Sequence, residues 1–371
     1  MKTITVKTKS KHYHVYVGDG ILNRLPNLVS KKKLPDRVFV VIDKKVEQIY
    51  GKSIRKVVNS IASKKYFLVL TSNEKLKSFN TITEIFDRLF EQKFGKDTLI
   101  IAIGGGTIGD VAGFAASTYM RSVHLVHIPT TLLSAVDSSI GGKTGINFRQ
   151  TKNLIGSFYQ PDVVLIDTNF ISSLPKKDLI SGMGEVVKYS YLTDKKFYQK
   201  LLDNFELILQ KDSDLLSSII YESIKIKSAV VSRDEKEETG VRKILNFGHT
   251  FAHAYESILS YKIDHGKAVV AGIVNALCLS LELKLIDNQQ YKYLIELPMK
   301  LRSYFNLKKV NHKAIFEAML YDKKNRRGKI QFVLIKNFGE ILVDVQPDYK
   351  SIKKSLERSE LVWFKRATAG L

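Results

Sequence analysis

The chain has 371 residues, 44% of them hydrophobic, with a formal net charge of +22 from 59 Lys and Arg against 37 Asp and Glu. That length exceeds what one hydrophobic core usually supports, and the lone Cys278 excludes an intrachain disulfide, so two domains of a soluble cytoplasmic protein are expected. The charge admits a nucleic-acid surface, an anionic-membrane surface or a lysine-rich enzyme of anionic ligands, but the lysines come in scattered groups such as Lys31 to Lys33 and Lys308-Lys309, with no zinc-finger or aromatic RNA-binding motif, which favours solvated surface and neither nucleic acid nor membrane as partner.

Met1 to Lys7 alternates polar and apolar residues as an amphipathic strand does, and lacks the continuous apolar segment of a secretory signal. Short β-branched or apolar runs follow at His12 to Val17, Arg37 to Ile42, Tyr66 to Leu70, Thr98 to Ile103, Val123 to Ile128 and Val163 to Ile166. Helical patterns such as Asn80 to Phe94 separate them, a rhythm that predicts βαβ units and a mainly parallel sheet. Asp43, at the end of its strand, suits a ribose hydroxyl or the cap of the next helix equally well.

The run Thr98 to Ile103 breaks into Gly104-Gly105-Gly106-Thr107-Ile108-Gly109-Asp110 and continues as the small-residue segment Val111 to Thr118. An apolar strand leading through a glycine loop into a helix brings backbone N–H groups up to a pyrophosphate. Alone, the spacing Gly104-x-Gly106-x-x-Gly109 is weak, since many such loops only turn a chain tightly. Its weight comes from the residues downstream: Arg121, Thr130-Thr131, Asp137, Gly141-Gly142-Lys143, Asn147 and Lys152-Asn153. Polar and cationic residues set among glycines do not build a core, but they suit a phosphorylated, polyhydroxylated ligand.

After Leu174-Pro175 long helical periodicities run to about Lys300, and only Gln331 to Ile335 with Ile341 to Val343 resemble a late hairpin. The expected division is therefore residues 1–174 as an α/β nucleotide domain and 175–371 as a mostly helical domain. The longest uncharged run, Ala268 to Leu281, is too short to cross a bilayer. Of the eight histidines, His12, His14, His124, His127 and His312 fit exposed or hydrogen-bonded positions. His249 and His253 stand at i and i+4 on one helix face, His265 precedes the next helix, and Glu185 shares a helix with Lys188. One Glu and two His from separate helices suit a zinc ion with open positions for substrate oxygens, although paired helical histidines are also often only packed together.

With these segments the sequence resembles the 3-dehydroquinate synthase family. The matching stretches are Gly104 through Ala116, Pro129 to Leu133, Val136 to Asn147, Lys152 to Gly156, Gly184 to Lys188 and Leu245 to Thr250. The resemblance implies a Rossmann-like N-terminal NAD-binding domain, a helical C-terminal metal domain and often a homodimer. It also implies NAD and a divalent metal, usually zinc with cobalt as an alternative, and conversion of 3-deoxy-D-arabino-heptulosonate 7-phosphate to 3-dehydroquinate and phosphate in the shikimate pathway.

Carried over by residue, the resemblance makes Glu185, His249 and His265 metal ligands. It puts Asp43, Glu74, Lys77, Gly104, Gly105, Gly106, Asp110, Thr130 and Thr131 at the NAD site, with Asp137, Lys143 and Lys152 contributing. It assigns Asp137, Lys143, Lys152, Asn153, Lys188, Lys227, Arg242, Asn246, His253, Lys323 and Lys324 to the substrate or the chemistry, and Arg121 to a neighbouring subunit's phosphate. Departures from the family pattern are Ser122 where glycine is common, Lys267 where glutamate is frequent, and one extra residue within Asp234 to Glu238.

The implied reaction passes through alcohol oxidation, phosphate β-elimination, ketone reduction, ring opening and aldol closure. A metal would lower the pKa of the hydroxyl that loses hydride, and the substrate's own phosphate oxygen would take the proton of the elimination step. Lys152, Asn153, Arg242, Lys323 or Lys324, and Arg121 would balance the phosphate charge, with His253 as proton relay. NAD would be used but not consumed. Rival readings are a sister cyclase such as 2-deoxy-scyllo-inosose synthase and a metal-dependent polyol or glycerol-phosphate dehydrogenase, which net NADH release would reveal.

Overall fold

Residues 38–42 and 99–103 are apolar without interruption, and the computed structural model buries every one of them inside a parallel sheet covered on both faces. The structure describes residues 1–149, 151–260, 262–320 and 329–364. They form two units, Met1–Pro175 with Lys211–Lys236, and Lys176–Gln210 with Glu237–Leu371.

The first unit carries β1 (Lys2–Lys7), β2 (His12–Gly18), β3 (Arg37–Asp43), β4 (Lys64–Leu70), β5 (Thr98–Gly104), β6 (His124–Pro129), β7 (Lys143–Phe148), β8 (Thr151–Phe158) and β9 (Val163–Asp167). Seven of them make one sheet in the order β1-β2-β9-β6-β5-β3-β4, parallel except for the β1–β2 pair. Alternate side chains go to opposite faces. Val38, Val40 and Ile42 pack with Ile54 and Val58 of the helix Lys44–Asn59, while Phe39 and Val41 pack with Ile82, Ile85 and Leu89 of the helix Phe79–Glu91. Each such side chain contributes about 1.5–3 kcal/mol of burial. From β3 the chain moves outward to β4 and then back across β3 to β5, which puts the reversal of strand order at the carboxyl ends of β3 and β5.

Two features depart from the reading in chain order. Lys143 to Phe158, where no strand was expected, forms the antiparallel hairpin of β7 and β8 outside the main sheet. The helix Ser213–Arg233, expected in the helical half, packs on β1, β2 and the turn Ser134–Ser138 of the first unit. Its periodicity reveals an apolar face but not which surface that face meets.

In the second unit the helix His265–Glu282 is apolar all round, with residues 268–280 buried, as a central core helix must be. The helices Lys176–Tyr191, His249–Ile258, Asn288–Arg302 and Tyr349–Phe364 surround it, together with the hairpin of β10 (Phe332–Asn337) and β11 (Glu340–Val345). Among the described residues no helix is long and apolar enough to cross a membrane.

The end of β9 is fastened by one buried carboxylate. Asp167 accepts backbone N–H bonds from Gly20 at 2.9 Å, Leu22 at 2.8 Å and Asn169 at 3.0 Å. Removing it leaves the buried Leu22 donor unpaired and breaks two further bonds, to Gly20 and Asn169. Asp167→Ala should therefore lower the unfolding free energy by about 3 kcal/mol, read as a drop in the urea midpoint with an unchanged slope.

Candidate active site

Glu185, fully buried on the helix Lys176–Tyr191, faces two imidazoles: Nε2 of His249 and Nε2 of His265 each lie 3.4 Å from its Oε1. Ligand atoms from these three side chains lie within 4.8 Å of one another, the spacing that a single cation fills. Lys188 ion-pairs with Oε2, while Oε1 has the two imidazole nitrogens at 3.4 Å and no closer partner among the described residues. A buried carboxylate oxygen with only such long contacts favours a cation between it and the two rings. The donor set of two nitrogens and one oxygen, all aimed at one point, therefore fits a zinc-like ion.

The rings are oriented from behind. Nδ1 of His249 donates to the carbonyl of Phe247 at 3.2 Å, and Nδ1 of His265 stands 3.4 Å from Oε1 of Glu256. Both arrangements leave Nε2 facing Glu185. Burial, reinforced by Lys188, pushes His249 down to about 4, so it is a neutral donor at pH 7. Burial acts downward on His265 too, but hydrogen bonding to Glu185 and Glu256 prevails and raises it to about 10. Burial would raise the Glu185 carboxyl; Lys188 and the two imidazoles outweigh it and hold the group well below the usual range.

Bare backbone lets the three elements approach this closely. A Cβ on Gly266 would lie 1.6 Å from the Ser181 carbonyl oxygen, and one on Gly184 2.2 Å from that of Gly266. Gly248, at φ +77°, starts the histidine helix, and a Cβ on the facing Gly272 would lie 2.1 Å from its carbonyl oxygen.

In the first unit the helix Gly106–Thr118 begins at the end of β5 with no side-chain cap, so its first N–H groups are available to an anion. Gly104 and Gly105 precede it, and Thr130 donates its N–H to the Gly104 carbonyl at 2.9 Å, with Thr131 stacked against Gly105. Asp43 caps the helix Lys44–Asn59 through the N–H groups of Lys45 and Val46, and receives Ser72 N–H at 3.3 Å. Buried Lys77 joins Asp110 to Asn153, whose Oδ1 it reaches at 2.7 Å, and Asn147 links Asn153 to Glu74. Burial raises the Asp110 carboxyl, with Lys77 opposing. A cleft of about 380 Å³ is lined by Asp110, Lys143 and Asn153. Lys152 lies half-buried beside it in sequence.

Asp137 sits in a single π turn, Ser134–Ser138, where Lys227 binds both its carboxylate and, at 2.7 Å, its carbonyl oxygen. Arg121 is exposed on a turn whose three residues, Met120, Arg121 and Ser122, have φ of 47°, 58° and 100°. Ser122 thus holds a glycine-like conformation, and Lys96 pins the turn by donating to the carbonyls of Met120 and Ser122. In the second unit Arg242 is buried 3.5 Å from Glu237, Asn246 closes the same short helix, and the His253 ring lies 5.6 Å from that of His249. Lys323 and Lys324 lie outside the described residues.

These features coincide with what known proteins share with the chain. The 3-dehydroquinate synthase N-terminal family matches residues 67–181, and its C-terminal counterpart residues 182–325. The chain belongs to the 3-dehydroquinate synthase family. It is 40% identical to the 3-dehydroquinate synthase of Pelagibacter ubique, over 96% of this chain and 98% of that one. It is 39% identical to that of Methylococcus capsulatus, over 96% and 99%. Among solved structures it is similar to a 2-deoxy-scyllo-inosose synthase complexed with carbaglucose-6-phosphate, NAD+ and Co2+, with a TM-score of 0.86, 24% identity and coverage of 96% and 99%. An iron-containing alcohol dehydrogenase shares the fold more distantly, with a TM-score of 0.64, 14% identity and coverage of 98% of both chains.

Glu256 is the residue that sequence reasoning missed. Its signal was its place three residues after His253 and seven after His249, on the face that carries both rings. The glycine contacts make a direct test. Gly266→Ala should cost at least about 3 kcal/mol, because the opposing atom is backbone rather than a movable side chain. Denaturant unfolding should show that loss, and equilibrium dialysis should show weakened Zn2+ uptake.

Proposed function

We propose that this chain is a 3-dehydroquinate synthase, using NAD and a divalent ion, Zn2+ by preference, to convert 3-deoxy-D-arabino-heptulosonate 7-phosphate to 3-dehydroquinate and phosphate. The observation that carries this reading is the Glu185, His249 and His265 cluster in a chain 40% identical to a 3-dehydroquinate synthase over nearly its whole length. The sister cyclase and the dehydrogenase are likenesses below 25% identity, which speak for fold alone. The reading carries with it the shikimate pathway and the cytoplasm.

In this assignment the first unit holds NAD at the uncapped helix Gly106–Thr118, and the second holds the ion. When bound, the ion supplies positive charge that eases loss of a hydroxyl proton from the substrate. Lys188, Arg242 and Asn246 hold and orient the substrate, together with Asp137, Lys143, Lys152, Asn153 and Lys227, and Lys323 and Lys324 join them as phosphate partners. His253 moves a proton at its imidazole, beside the ligand His249. A homodimer completes the phosphate site with Arg121 from the neighbouring subunit.

With Zn2+ and catalytic NAD, the purified chain should release one phosphate for each 3-dehydroquinate formed, without net NADH. Phosphate from glucose 6-phosphate but not from the heptulosonate would assign it to the sister cyclase, and stoichiometric NADH from a polyol to the dehydrogenase. His249→Ala and His265→Ala should each abolish activity and lower bound metal measured by elemental analysis.

The subunit-crossing role of Arg121 has its own test. Arg121→Ala and His249→Ala chains, each inactive alone, should regain about one quarter of wild-type activity when unfolded together and reassembled, because half the dimers are mixed and each has one intact site. A mixture as inactive as its parents would place Arg121 at its own chain's site.

A further inference from the structure

The His265 ring stands on the first residue of its helix, partly exposed, with Asp264 before it making no side-chain cap. A side chain samples staggered positions, and the one adopted here delivers Nε2 to within 3.4 Å of Glu185. His249 has its Nδ1 held by the chain's own backbone at Phe247, a partner that no substitution removes. His265 has no such carbonyl at its Nδ1. In that place, 3.4 Å away, is Oε1 of Glu256, a carboxylate only 6% exposed and carried by the helix that also carries His249.

We propose that Glu256 is a positioning residue for the ion site: it accepts the Nδ1–H of His265 and so fixes both the tautomer and the ring direction that present the Nε2 lone pair beside Glu185 and His249. The proposal rests on the reading of this cluster as an ion site. Glu256 is not itself a fourth ligand. The two nitrogens of an imidazole point to opposite sides of the ring, so a group that engages Nδ1 stands behind the ring, and Glu256 lies outside the cluster of ligand atoms that share one centre. The helix His249–Ile258 thus contributes one ligand directly and steadies a second across to the start of the next helix. A carboxylate in that role also makes the imidazole a stronger donor to a cation.

The test uses the full-length chain and two probe ions. Zn2+ affinity is measured by chelator competition, and the visible spectrum of the Co2+-loaded protein reports ligand geometry. Glu256→Gln keeps the side chain's size and should weaken Zn2+ binding about tenfold while altering the Co2+ bands; Glu256→Ala should approach a hundredfold. Wild-type affinity and unchanged bands in Glu256→Gln would overturn the proposal, whatever the alanine variant does. His265→Ala is the reference: if it binds Zn2+ as tightly as wild type, the ion-site reading fails, and the role of Glu256 with it. Loss of binding in His265→Ala with none in Glu256→Gln would overturn the positioning role alone.

Discussion

The second unit depends on two places where backbone lies directly on backbone. Gly266 and Gly272, about one and two-thirds turns apart on the central helix, leave no room for a Cβ against Ser181 on one side and Gly248 on the other. Those two contacts set the spacing of the elements that carry Glu185, His249 and His265. An ordinary helix pair is held 8–10 Å apart by its side chains, whereas at these bare crossings backbone meets backbone directly. Removing the side chains at the crossings brings the functional side chains together, so geometry at the ion site is set by packing rather than by flexible loops.

Electrostatics makes that geometry specific. A carboxylate such as Glu185, with no exposed surface, demands positive charge nearby. Lys188 satisfies one oxygen, and the other looks between two imidazoles. In the ion-free protein His265, raised to about 10, carries a proton there at pH 7 while His249 stays neutral. On the proposed function the site would take one cation, with a proton on His265 in the ion-free protein, and metal uptake at neutral pH would release that proton.

Much of this was legible in the sequence because burial on both faces writes a simple signal. The runs Val38 to Ile42 and Leu99 to Ile103 read as parallel strands, and the spacing of His249 and His253 put two rings on one face. The hairpin Lys143 to Phe158 was not legible: its residues mix polar and apolar types without a clean alternation, from buried Ile146 to exposed Leu154, and its strands meet through Gly145 and Gly156, where a Cβ would strike backbone. Asp43 illustrates a different limit. A carboxylate at a strand end looks the same in sequence whatever it binds, and here Asp43 caps the following helix. Glu256 was passed over because a single acidic residue on a helix is usually solvated, and its depth sets it apart from such residues.

On the proposed function, the buried cations give so basic a chain a way to discriminate among anions. Among the described residues Lys77, Lys188, Lys227 and Arg242 are buried, and each has a carboxylate partner, Asp110, Glu185, Asp137 and Glu237 respectively. The excess that makes the net charge +22 therefore lies mainly on less buried side chains, where salt screens it. An incoming phosphate or carboxylate does not meet bare positive charge at these positions; it must share or replace an internal partner. That exchange yields little affinity for an arbitrary anion, since the new contact must match the one it displaces. A substrate whose acidic groups reach several of these cations at once gains over one that reaches a single cation. Selectivity then follows from the spacing of charges rather than from their number.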